Sequence, residues 1–179
     1  MYKIHRLLLI MSLIIFSPVQ AQPAMAGATM KDVLIAVRTL GFVTNPPIGP
    51  VDFAVIYDPD IPESVTDKDT VYAVLDGGTD IGPAFVKTVP IQITDLSRIK
   101  EYRFVLLTSG IDSSISKINS LIRNSGILTI STNLSYVRSG KCVMGVESDP
   151  DVKILVSRTA SEAASVTFAT YFRMMITEL

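Results

Sequence analysis

The sequence predicts an α/β fold, a three-layer sandwich with a mostly parallel sheet, a C-terminal β-hairpin and a closing helix. Three observations carry that expectation. Phe104, Val105, Leu106 and Leu107 form an unbroken apolar run, the pattern of a strand covered on both faces. The period then changes: Ile111, Ile115, Ile118, Leu121 and Ile122 recur at steps of three and four, which places them on one helical face, while Lys117, Asn119 and Arg123 point away. Asn124-Ser125-Gly126 stops that helix, and Ile127–Ile130 starts another strand. A strand joined through one helix to a neighbouring strand makes a right-handed parallel crossover, so Tyr102–Ser131 is read as a βαβ unit around which the other elements are placed.

At the start of the chain, Lys3, His5 and Arg6 precede the apolar stretch Leu7–Ile15, which only Ser12 interrupts. It is too short to span a bilayer comfortably and Pro18 follows, the layout of a cleaved secretory signal peptide. Val19-Gln20-Ala21 and Ala24-Met25-Ala26 both offer small residues to a peptidase, which puts the mature start near Gln22 or Gly27. The expectation is therefore a leader over residues 1–26, one α/β domain over 27–179, and a periplasmic location.

Along the mature chain, Val33, Leu34, Val37 and Leu40, with or without Phe42, share one helical face within Thr29–Val43, which predicts a helix that stops at Gly41, with Thr29 as cap and Asp32 at its third following position. Asn45–Pro50 cannot continue it. Val51–Tyr57 reads as the first strand, Asp58–Pro62 as a loop and Ser64–Leu75 as a second helix. Gly77, Gly78 and Gly82 follow that helix instead of linking a strand to a helix start, so they read as a stop and connector and not as a phosphate loop. Phe85–Ile93 is a strand that Pro90 moves towards a sheet edge, and Asp95–Lys100 is a short connector or one helical turn. After the βαβ unit, residues 131–140 read as a loop hinged at Gly140. Cys142–Val146 and Val152–Val156 read as a hairpin turning at Glu147–Asp151, and Ser157–Leu179 as one docked helix capped by Thr159 or Ser161.

Composition excludes several chemistries. The only histidine lies in the leader, so the mature chain cannot assemble a Ser-His-Asp or Cys-His pair or a histidine-ligated metal, and no enzymatic activity is expected. Loss of Lys3 and Arg6 leaves acidic residues in excess, and without tryptophan or an arginine-rich stretch there is no footprint for nucleic acid. Asp58, Asp60 and Glu63 lack the alternation of a calcium loop, so no metal and no cofactor is expected. Cys142 is the one cysteine; it can form no internal disulfide and reads as buried and inert.

In an open parallel sheet, ligands collect beyond the carboxyl ends of the strands. Those ends are Tyr57-Asp58, Thr108-Ser109-Gly110 and Ser131-Thr132-Asn133, all small or polar except the tyrosine, with Ser113 and Ser114 near the free N–H groups of the following helix start. They are the ligand-binding candidates. For a protein partner the candidates are the apolar side of the first helix, Val33, Val37, Leu40 and Phe42, together with Tyr136 and Arg138 beside the glycine hinge.

The segment order resembles that of the YfiR-type periplasmic regulators over about Met30–Leu179. The likeness rests on the first helix ending in Gly41-Phe-Val-Thr-Asn-Pro46, where Asn45 stands at the family's usual tryptophan, on the strand Phe53–Tyr57, on Ile127–Ser131 before a polar loop, and on Val152–Val156 with the closing segment. The family's cysteine pairs are missing. The resemblance implies a non-enzymatic inhibitor that binds the periplasmic sensor domain of a membrane diguanylate cyclase, represses cyclic-di-GMP signalling and forms a homodimer. The chain is also similar in size and pattern to one lobe of an ABC-type substrate-binding protein, which implies a small-molecule ligand.

Overall fold

The computed structural model describes residues 27–179, and the signal-peptide reading lies outside them. In chain order the elements are α1 (Met30–Thr39), β1 (Gly49–Tyr57), α2 (Pro62–Leu75), β2 (Thr79–Ile81), β3 (Ala84–Gln92), β4 (Phe104–Leu107), α3 (Asp112–Ile122), β5 (Leu128–Ser131), α4 (Leu134–Arg138), β6 (Met144–Glu147), β7 (Lys153–Val156), α5 (Arg158–Ala164) and β8 (Thr177–Glu178). Segments of 3-10 helix cover Leu40–Phe42, Ile93–Glu101 and Thr170–Met174. One eight-stranded sheet runs β2-β3-β1-β4-β5-β6-β7-β8. From β3 to β6 every pairing is parallel; β2 and β7 are antiparallel to their inner neighbours, and β8 is parallel to β7.

Alternation along the strands sorts side chains into two layers. Phe53, Val55, Phe104, Leu106, Leu128 and Ile130 join the core beneath α1, α2 and α5. Ala54, Ile56, Val105 and Leu107 join the one beneath the Ile93–Glu101 segment, α3 and α4. The isoleucines at 111, 115, 118 and 122 are all buried in this second core, as their spacing predicts. Each is worth up to about 1.5–3 kcal/mol by area removed from water.

Crossovers from β1 leftward to β3 and from β4 rightward to β5 place α2 and α3 on opposite faces. The switch in direction falls between β1 and β4, the point at which doubly wound sheets open a crevice. The start of α1 lies near that point, because Ala28 N, just before it, and Ser109 N, just after β4, both donate to the carboxylate of Asp67. Its capping box is as expected: Thr29 Oγ1 accepts from Asp32 N (3.1 Å) and Asp32 Oδ2 accepts from Thr29 N (2.9 Å).

Several expectations need correction. The closing helix stops after Ala164, capped by Ser157 instead of Thr159 or Ser161, because Ser165 takes a left-handed conformation (φ 60°). The β-branched pair Val166-Thr167 then leads into an extended bridge between Phe168 and Val43, and the tail ends as β8. Residues 134–138 are helical, because Asn133 Oδ1 accepts from Ser135 N (3.0 Å) and caps a short turn of helix. Gly82 turns a hairpin: β2 pairs with only Ala84–Val86 of β3, which leaves Pro90 on the uncovered half of that strand. The strand expected from Cys142 starts at Met144, and its hairpin partner at Lys153.

Candidate functional site

Strand register brings the three predicted chain ends together. Ile56 lies beside Leu107, and Leu106 beside Ile130, so Tyr57-Asp58, Thr108–Gly110 and Ser131–Asn133 leave adjacent strands at one level. Thr108, Ser109, Ser131 and Asn133 are buried, Tyr57, Asp58 and Thr132 are half-buried, and Gly110 is exposed.

Much of this polar cluster is bonded to itself. Asp58 N donates to Ser64 Oγ (2.8 Å), and Thr108 Oγ1 donates to Ile56 O (2.9 Å). The 2.6 Å contact between Ser64 Oγ and Thr108 Oγ1 must then use the serine proton, which gives a directed chain from β1 through α2 and β4 back to β1. On β5, Ser131 Oγ donates to Leu107 O (2.8 Å) and accepts from Asn133 N (3.1 Å).

The decisive side chain is Asp67, fully buried on the second turn of α2. Its Oδ2 accepts from Ser109 N and its Oδ1 from Ala28 N, each at 2.7 Å. A carboxylate from the chain itself thus takes the backbone donor at the end of β4, where an anionic ligand would bind. Asp67 is not singled out in the sequence analysis. The available signal was its place on the buried side of α2, with Ser64, Val71 and Leu75.

Some recognition capacity is left unused. Asn133 Oδ1 is taken by Ser135, but Asn133 Nδ2 is buried and makes no hydrogen bond. The start of α3 has no side-chain cap. Gly110, just before it, has φ +78°, and a Cβ there would lie 2.5 Å from Ile61 Cγ2, so only glycine lets the backbone turn here. Asp58, Asp60, Glu63 and Asp112 make the surroundings acidic.

The partner candidates are placed differently. Val33, Val37 and Leu40 are buried against the chain's own sheet. Tyr136 is also buried, with its hydroxyl 3.1 Å from Asp112 Oδ2; burial first, and that carboxylate second, hold its phenol well above the usual range. Arg138 is exposed. Phe42 is half-buried, stacked on Phe172 (centroids 4.7 Å apart) and edge-on to Tyr171 (5.8 Å); Met174 and Met175, which follow these two in the chain, are exposed. Cys142 is a buried free thiol whose pKa burial pushes up to about 12. Among the described residues no acid, histidine and cysteine cluster suits a metal, and no helix is long and apolar enough to cross a membrane.

No family model and no curated protein matches the sequence. The resemblance to YfiR-type regulators therefore has no support from that side. Solved structures do match in fold. The ABC domain in complex with L-Trp from Streptococcus pneumoniae superposes with a TM-score of 0.58 at 10% identity, over 83% of this chain and 60% of that one. A conserved domain protein from Vibrio cholerae gives 0.55 at 12%, over 83% and 59%. The chain thus spans about three fifths of these structures, and at such identities the likeness establishes the fold alone, an α/β sandwich.

Proposed function

We propose that the chain is an exported, non-enzymatic ligand-binding domain that takes a small molecule at the ends of β1, β4 and β5. The observation that carries this reading is the buried, unpartnered Nδ2 of Asn133, because a buried donor without an acceptor is costly unless a ligand supplies one. An acceptor on the ligand would meet that amide and the uncapped start of α3. A cationic group would suit Asp58 or Asp112. A molecule with both, of which a free amino acid is the simplest, fits the cluster, and the L-Trp held by the Streptococcus neighbour is in keeping with it. Thermal shift against amino acids, peptides and inorganic anions tests the proposal. A saturable rise with an amino acid, lost in Asn133→Ala, supports it, since a ligand at a hundredfold its Kd adds about 2.7 kcal/mol to stability. No rise with any of them sinks it.

A second reading, a periplasmic regulator that docks on a membrane sensor protein or on its own copy, is favoured by the exposed Tyr171 against Phe42 and by the exposed Met174 and Met175 that follow it in the chain. The buried side of α1 is not available for it. Size-exclusion chromatography with light scattering, run on the native protein and on Met174→Glu, tests the self-docking form.

A further inference from the structure

We propose that a cavity at the opposite end of the sheet, between α3 and α5, binds a small carboxylic acid with a compact apolar body. The cavity has a volume of about 210 Å³. Ile122, Val143, Ala160, Ala163 and Ala164 supply its apolar lining, with Asn119, Thr129 and Thr159 as polar contacts. Arg123 and Lys141 also line it. Neither cation forms an ion pair among the described residues. The acid of α5, Glu162, lines a different cavity with Arg158 and Arg173.

Size, shape and charge agree on the ligand class. A cavity of about 150 Å³ accepts benzene, so this one has room for a ring or a branched chain plus a carboxylate. A guanidinium offers a planar fork that matches a carboxylate and an ammonium adds a point charge. The walls are fixed, because Asn124 N donates to Ala163 O (2.9 Å) and Gly126 N to Ala164 O (2.8 Å), which ties the end of α3 to that of α5. Lys100, Arg103 and Arg123 line the next cavity with a single acid, Glu101, so cations outnumber acids there too. This site is separate from the Asn133 cluster and stands or falls independently of it.

Calorimetric titration of the purified protein with benzoate, and with benzamide as its neutral match, tests the assignment. Benzoate is expected to bind one to one, at least about tenfold more tightly than benzamide, and Arg123→Gln and Lys141→Gln should each weaken it, the arginine change by about tenfold. Ala163→Leu, which fills the cavity from an exposed helical position, should abolish binding. Should that variant melt early, the two surface cation variants decide the matter. The assignment is overturned if neither benzoate nor short branched carboxylates bind up to about 10 mM. It is overturned equally if benzamide matches benzoate, or if binding survives in Ala163→Leu and both cation variants. Benzoate binding that is lost in Asn133→Ala but not in Ala163→Leu would transfer the ligand to the strand-end cluster and overturn this inference while supporting the earlier one.

Discussion

Where the parallel strands finish, hydroxyls, an amide and a carboxylate bond to one another under an acidic surface; where they start, cations border open cavities. Asp58, Asp60, Glu63, Asp112 and Asp149 mark the first end, with Lys31 among them, and Lys100, Arg103, Arg123, Lys141 and Arg158 the second, interspersed with Glu101, Glu162 and Glu178. The contrast has a structural origin. Three chain segments converge at the finishing end with buried backbone groups that water cannot reach, so side chains must satisfy them. At the starting end the connections stay exposed, and long basic side chains extend into solvent.

Asp67→Ala should have the largest effect. It leaves Ala28 N and Ser109 N buried without an acceptor, at a cost of about 3–5 kcal/mol in urea unfolding. A loss below 1 kcal/mol would mean that the finishing end is not held by its own carboxylate, and the comparison would fail. Gly110→Ala comes next, at about 2–3 kcal/mol, because the new methyl group meets Ile61 in a left-handed backbone. Thr108→Val removes the acceptor of Ser64 and one donor to Ile56 O, for about 1–2 kcal/mol. At the starting end, Arg103→Ala loses exposed bonds to Thr44 O (3.1 Å) and Asn45 O (2.6 Å) and should cost no more than about 1 kcal/mol. A larger loss there would show that both ends are structural.

Cys142 sharpens the contrast through pH. Its folded pKa is raised, so the unfolded chain releases the thiol proton first and stability falls as pH climbs from about 9 to about 12. Below that window the thiol contributes no pH dependence. Melting temperatures of Cys142→Ala should decline less steeply through the window than those of the native protein. Native protein should also resist thiol reagents at pH 8 until unfolded; ready modification in the folded state would contradict the burial.

The central strands and α3 were legible because continuous apolar runs and a three-four period have few other interpretations. The tail was not. Ala160, Ala163, Ala164, Val166, Phe168 and Phe172 keep helical spacing while Ser165 breaks the helix, and the pairing of Phe168 with Val43 is a contact no local pattern shows. The three residues of β2 were likewise too few to register. At the candidate site, sequence located the strand ends but not their occupancy. Whether Ser109 N faces a ligand or a side chain depends on Asp67, which lies 42 positions away and reaches it only after α2 docks.

Both outermost strands of the sheet are very short, and β8 is the shorter at two residues, held by Leu179 N to Val156 O (2.9 Å) and Arg158 N to Leu179 O (3.1 Å). Deleting the last three residues would strip the rim of β7 and leave its amides and carbonyls as a template for another molecule's backbone. A shortened polypeptide should therefore gain a tendency to join end to end into fibres, a hazard against which this brief tail insulates the protein.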